Sequence, residues 1–366
     1  MYSIKLYSDE SATDEAVKRE NQSRAAFDFL TISREFRNSD IFCTNLFFTT
    51  ADQLAKKTNT MPYDKVFFWT ISEVDDTSPT TTTKVAGIAM ATMPFSLIVS
   101  PMPEAALSQL LCGPSEESVF VSVYVKGFGF QKWGAVIPCG LESTFLKIYQ
   151  SQHPNISITE EVQENIYKLE DSKLLIPTRQ NGTPIPGRMR RLYSNEKDIS
   201  LGISFYKGFI KELGISQRDL EDRVKNGAKD GTMFVWEVLE EEGADRPAPL
   251  PGVLAAVEQQ QSRDTVCDMS TVAATATAVS FAGHIAPVGD SPGGLVARIA
   301  PVFTPREERG RGYAAALTAA LASHLISNLG ARTMLYAVKD NPISNRVYTK
   351  IGFEIAGQNT KFILQG

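Results

Sequence analysis

The residues with the clearest chemical meaning are Arg309-Gly310-Arg311-Gly312, followed directly by Tyr313-Ala314. Glycine has no Cβ, so the backbone at Gly310 and Gly312 can come close to a ligand. The first N–H groups of a helix lack intrahelical partners and sit at its positive end, which suits a phosphate. Charge points the same way. From Arg309 to Lys339 there is no Asp or Glu, while Arg309, Arg311, Arg332 and Lys339 are basic, in a chain of net charge −5. On glycine and charge alone, a glycine-rich turn with arginines on a solvated helix end fits equally well.

The elements around this turn are legible. Leu295 to Phe303 is a bulky apolar run that reads as a strand. Pro301 interrupts its ladder, because proline has no N–H to donate. A helix follows from about Gly312 to Asn328, alanine-rich, with Leu317, Leu321 and Leu325 on one face. Gly330 stands where a left-handed residue closes a helix. Thr333–Val338 reads as the next strand. Then comes Asp340-Asn341-Pro342-Ile343-Ser344-Asn345, with Tyr348 and Gly352-Phe353 behind it.

Arg309 to Ala314 resembles Arg/Gln-x-x-Gly-x-Gly/Ala, the acyl-CoA pyrophosphate loop of the GNAT acyltransferases. The Asn341–Phe353 segment is similar to the family's C-terminal stretch, an Asn-led helix followed by Tyr and then Gly-Phe. The two in order cover about the last seventy residues. The resemblance implies an acyl-CoA co-substrate, most simply acetyl-CoA, an amine acceptor and no metal. It implies that Val302, Phe303 and Thr304, on a splayed strand, bind the pantetheine arm. Gly310, Arg311, Gly312 and Tyr313 would hold the pyrophosphate together with Arg309 and Ala314. Asn341 and Asn345 would approach the pantetheine, and Tyr348 would be the general acid; the alternative for Tyr348 is a core tyrosine on a short helix. The glycines are not a P-loop, since no Lys-Ser/Thr follows them. They are not a dinucleotide fingerprint, since no acidic residue lies ~20 residues on.

The chain has 366 residues, 43% hydrophobic and 22% charged, which suggests about two domains. Its mild acidity argues against a nucleic-acid binder. No run of ~18 apolar residues is present, so no membrane span is expected. Cys43, Cys112, Cys139 and Cys267 are scattered, without metal-ligand or disulfide spacing, and fit a reducing cytosol. With no signal-peptide core at the start, the expected location is cytoplasmic.

Residues 1–24 read as a polar lead, and 25–160 as a degenerate GNAT-like domain. Expected elements there are a short helix from Ala25 to Phe36, an apolar element from Phe42 to Phe48, and strands at Val66–Ile71, Val85–Met90, Phe95–Ser100 and Val119–Val125. A helix over Glu104–Leu111 precedes the last of these. Pro101-Met-Pro-Glu104 stands where the second half has its Arg/Gly loop, and offers neither glycine nor cation. Residues 161–366 read as the working GNAT domain, with helices over Glu196–Leu213 and Ser216–Lys225, a strand over Gly231–Val238, insertions to about Ala273, a strand over Ala274–Phe281 and a loop from His284 to Gly294. The fold class is therefore α/β (α+β): two GNAT-like domains, each a mixed, mostly antiparallel sheet flanked by helices. Glu237, Glu258 and His284 are weighed as general bases, and a water chain serves equally. The function expected is direct acyl transfer to an amine of a small molecule or peptide; the alternative is a CoA-binding scaffold without catalysis.

Overall fold

A computed structural model describes residues 2–8, 14–58, 63–74, 83–112, 132–152, 154–213, 220–239, 276–289 and 294–365. The chain divides into two compact units. The first is Met1–Ile166 with Tyr336–Asn341 and Ile355–Gly366; the second is Tyr167–Leu335 with Pro342–Glu354.

The first unit opens with β1 (Tyr2–Ser8) and α1 (Glu15–Ile32). Residues 1–24 are therefore not a lead. Composition hides α1 because the face it buries is small and partly polar: Gln22, Ser23, Ala25, Ala26 and Phe29. Each polar member has a carbonyl partner, Gln22 Nε2 donating to Tyr63 (3.1 Å) and Ser23 Oγ to Ala55 (2.9 Å), which removes the penalty of burial. The Asp14 carboxylate caps α1, accepting from the N–H groups of Ala16 and Val17. Then come α2 (Arg34–Ser39), α3 (Asn45–Ala55), β2 (Val66–Val74), β3 (Thr83–Thr92), β4 (Leu97–Val99), α4 (Glu104–Cys112), β5 (Lys132–Pro138), α5 (Glu142–Gln152) and β6 (Ser157–Leu169). The strand expected at Val119–Val125 lies outside the described residues. β1, β2, β3 and β4 pair antiparallel in that order, and β4 pairs parallel with β5. On its other side β5 takes an antiparallel partner from much later in the chain, β12 (Glu354–Gln365). Leu107, Leu110 and Leu111 of α4 and Phe145 and Tyr149 of α5 pack on Trp69, Ile137 and Phe362 of this sheet.

The second unit repeats the pattern. It contains β7 (Arg188–Arg191), α6 (Glu196–Leu213), α7 (Leu220–Asp230), β8 (Met233–Leu239), β9 (Ala276–Val288), β10 (Val296–Phe303), α8 (Tyr313–Leu329), β11 (Arg332–Val338) and α9 (Pro342–Lys350). β7, β8, β9 and β10 pair antiparallel in order, and β10 pairs parallel with β11. In both units a strand antiparallel to the one before it leads through a helix to a parallel neighbour. β9 continues through His284 to Val288, so the loop expected from His284 is strand instead. Phe281 and Ala282, which point to opposite faces of the strand, are both fully buried, which holds it in the sheet. The insertions between Glu240 and Thr275 lie outside the described residues. Leu192, Phe205, Tyr206, Val224, Val235 and Phe281 form a core between the sheet and α6–α7. Leu317, Leu321 and Leu325 of α8 are fully buried, as their spacing predicts.

Candidate active site

The ladder between β10 and β11 runs only from Val296–Arg332 to Arg298–Met334. β10 continues to Phe303 with β9 as its partner, and its register breaks between Ile299 and Val302, around Pro301. Beyond Arg298 the β11-facing edge of β10 has no ladder partner among the described residues. The Phe303 side chain turns to the other layer, against Phe205 and the backbone of Gly208, where a Cβ would lie 2.7 Å from the ring. Thr304 is buried, its hydroxyl 2.8 Å from Ser280 Oγ.

After Thr304 a single 3-10 turn, Arg306–Glu308, leads into the glycine loop. Gly310 and Gly312 have φ of +78° and +86°, values that L-residues rarely adopt. Gly312 is the N-cap of α8, and no side chain caps that helix. Its first N–H groups have no intrahelical acceptor. Ile185 packs on Gly312, where a Cβ would stand 2.6 Å from Ile185 Cδ1. Gly330 ends the helix at φ +59°.

The two loop arginines differ. Arg309 Nε donates to the Thr304 carbonyl (2.8 Å), and its guanidinium pairs with Glu212 near the end of α6. That pairing holds the Glu212 carboxyl below its ordinary pKa. Arg309 thus braces the loop from behind. Arg311 pairs with Glu308 at 3.2 Å and lines a pocket of about 760 Å³ together with Gly310, Gly312 and Tyr313. The opposite wall is the hairpin carrying Arg179, Ile185 and Pro186, with Lys350 of α9 beside it. The acid-free stretch of sequence is thus met by two carboxylates from outside it.

Tyr348 is buried on α9, its ring 5.9 Å from that of Tyr167 and 6.2 Å from that of Phe353. Burial pushes its hydroxyl up to about 12, so it is protonated at neutral pH. Tyr167 donates to Asn345 Oδ1 at 2.8 Å, fixing one ring beside the other. Gly352, at φ +101°, lies so close to the Lys173 carbonyl oxygen that a Cβ would sit 1.9 Å from it; glycine is thus required there by packing. Asn341 closes the turn after β11, its N–H donating to the Val338 carbonyl (3.1 Å), and counts with the first unit.

The base candidates are otherwise engaged. Glu237 is buried and bonded to Arg190 Nε at 2.5 Å, with Arg188 3.6 Å away. Arg190 also grips Asp198 with two nitrogens, at 2.7 and 2.8 Å. Burial raises the Asp198 carboxyl, but the hydrogen bonds from Arg190 and the Tyr193 N–H outweigh it and leave its pKa lowered. His284 lies against Phe234, and burial lowers its pKa. Glu258 lies outside the described residues. Among the described residues no group of three His, Cys, Asp or Glu is placed to hold a metal, and no helix is long and apolar enough to cross a membrane.

The FR47-like protein family model matches residues 294–363, the segment from β10 to β12 that contains the loop and Tyr348. A GCN5-related N-acetyltransferase from Sphaerobacter thermophilus superposes with a TM-score of 0.51 at 12% identity, covering 98% of this chain and 95% of that one. A tandem GNAT protein from the clavulanic acid biosynthesis pathway gives 0.50 at 9% identity, with 98% of each chain covered. The chain has the tandem GNAT fold. At such identities the likeness is one of fold, and no curated protein matches the sequence. Within the tandem GNAT fold, the connection from β4 to α4 is Ser100-Pro101-Met102-Pro103, without a glycine or a cation. The corresponding connection from β10 to α8 carries Arg309-Gly310-Arg311-Gly312.

Proposed function

We propose that this protein is an acyl-CoA-dependent N-acyltransferase, with acetyl-CoA as the expected donor, that works through its second unit and binds no CoA in its first. One observation carries the reading: the uncapped start of α8, formed on positive-φ Gly310 and Gly312, opens into the 760 Å³ pocket. A helix start whose first N–H groups have no intrahelical acceptor, with a bare backbone and Arg311 beside it, suits a pyrophosphate. The unladdered edge of β10 offers backbone groups to the amides of a pantetheine arm. Val302 lies on this stretch, Phe303 packs on Phe205, and Arg309 holds the Thr304 carbonyl just beyond it.

In the reaction an unprotonated amine attacks the thioester carbonyl, the C–N bond forms, the C–S bond breaks, and the thiolate takes a proton. In this reading the proton itself comes from the water that received the amine proton, and Tyr348 donates a hydrogen bond to that sulfur. With its hydroxyl pushed up to about 12, it stands well above an ordinary thiol at ~8.5, so it gives a hydrogen bond as charge develops on sulfur. Because Glu237 and His284 are held in buried contacts, the amine proton leaves to water.

Calorimetry with acetyl-CoA, together with thiol release across an amine panel, tests the proposal. The expected result is one CoA per chain and turnover with at least one amine. Arg309→Glu with Arg311→Glu should weaken binding at least tenfold, since one change repels Glu212 and the other puts a carboxylate at the anion site. Two CoA per chain would place a site in the first unit. Binding without turnover on any amine would favour a CoA-binding scaffold.

A further inference from the structure

We infer that Tyr167 is a positioning residue for the acyl transfer: bonded to Asn345, it holds α9 so that the Tyr348 hydroxyl stays aimed at the leaving sulfur. The inference rests on the acyl-CoA reading and on the hydrogen bond which that reading gives to Tyr348. Tyr167 lies outside residues 294–363, the segment that the family model matches. It comes from the end of β6, 178 residues before Asn345.

The nine-residue α9 is too short to be stable on its own in water, so its position is set by what it touches. The one residue of α9 that is buried is Tyr348, while Ile343 in the first turn is 72% exposed. The C-terminal end is fastened through backbone. The Ile351 carbonyl accepts from the Leu175 N–H (3.1 Å), the Tyr348 carbonyl accepts from the Phe353 N–H (3.0 Å), and Gly352 packs on the Lys173 carbonyl. Fastening that end alone would leave the first turn free to swing. Asn345 stands three residues before Tyr348, about one turn away on the same face. Tyr167 meets both residues. Its hydroxyl donates to Asn345 Oδ1 at 2.8 Å, and its ring lies 5.9 Å from the Tyr348 ring, tilted by 58°. Tyr167 is 3% exposed and belongs to a strand, so the fixed end of this clamp is rigid. The Tyr348 hydroxyl has no hydrogen-bond partner of its own among the described residues. Its direction is therefore set through its ring and its helix, which are the two things Tyr167 holds.

The test is single-turnover acyl transfer at saturating acetyl-CoA, with the best amine of the panel, for the parent, Tyr167→Phe, Tyr348→Phe and the double variant. Tyr167→Phe keeps the ring and removes the hydroxyl. Its chemical step should slow roughly tenfold, below the ~10²-fold that a misplacement of a whole ångström can cost. Acetyl-CoA affinity should stay close to the parent's, which also shows that the variant is folded. In the Tyr348→Phe background the same change should slow the reaction no further, because no hydroxyl remains to be aimed. An unslowed Tyr167→Phe overturns the positioning role. So does a tenfold loss that persists in the Tyr348→Phe background, or a loss of acetyl-CoA affinity in place of rate, since either makes Tyr167 a general support of the fold. Tyr348→Phe at the parent's rate overturns it too and leaves the acyl-CoA reading intact. A parent without turnover on any amine overturns both.

Discussion

Gly312→Ala is the sharpest probe of the loop, because two separate costs are visible there. The first is conformational: at φ +86° an L-residue costs roughly 1–2 kcal/mol over glycine. The second is steric: the new Cβ would lie 2.6 Å from Ile185 Cδ1 and 3.3 Å from Cγ1, and Ile185 is only 4% exposed. Moving a buried side chain adds about 1 kcal/mol, at the low end for overpacking because the nearest atom is a flexible methyl. The sum is about 2–3 kcal/mol. Gly310→Ala is the internal control: φ is +78° and no atom lies within 4 Å of its Cβ, so only the first cost of ~1–2 kcal/mol applies. Ile185→Val removes Cδ1 and by itself should cost ~0.5–1.5 kcal/mol. Combined with Gly312→Ala it removes the closest contact, so the pair should be non-additive by about 1 kcal/mol in the favourable direction. Denaturant unfolding followed by a probe in the second unit measures all four proteins, and calorimetry with CoA should show weaker binding for both glycine variants. Equal costs for Gly310→Ala and Gly312→Ala, with strict additivity of Ile185→Val, would refute the seating of Ile185 against the loop.

Tyr348→Phe keeps the ring contacts with Tyr167 and Phe353 but removes the hydroxyl. Pre-steady-state rates should fall ~10²–10⁴-fold with CoA affinity unchanged, and an unaltered chemical step would leave Tyr348 as a packing residue. In the parent, no alkaline loss of rate attributable to Tyr348 should appear below about pH 10, since its hydroxyl is held up to about 12. His284 and His324 have pKa values lowered, chiefly by burial, so below ~6.5 the unfolded chain binds more protons than the folded one. Thermal stability should therefore fall as pH drops from 7 to 5, and His284→Gln should flatten that slope; a slope that His284→Gln leaves unchanged would dismiss its contribution.

How much the sequence revealed followed from where its contacts come from. α6 was legible to the residue, because Ile203, Tyr206, Phe209 and Ile210 repeat at helical spacing and pack against one core. The loop and α8 were legible because glycine and leucine carry their constraints locally. α1 was not, because Gln22 and Ser23 are buried by virtue of carbonyls from Tyr63 and Ala55, which no periodicity announces. β12 was missed because its alternation is weak and its ladder partner β5 lies more than two hundred residues earlier. The site shows the same limit. The glycines were in plain view, but the division of labour between Arg309 and Arg311 depends on Glu212 and Glu308, one of them 97 residues upstream. Arg179 and Lys350 carried no signal at all, since a lone cation acquires meaning only when the fold brings it to a pocket.

The pairing of β12 with β5 also bears on how the protein is made. Residues Asn359–Gln365 form the ladder against Lys132–Pro138, so the sheet of the first unit is unfinished until almost the whole described chain has been synthesised. On the ribosome, β5 must wait with an open edge while the second unit emerges, and contacts of such long sequence separation form slowly. The same arrangement means that a cut near residue 160 does not yield two independent proteins. A nick or truncation in the last dozen residues would strike the first unit, and a reporter of the folding of β5 would register damage done at the opposite end of the sequence.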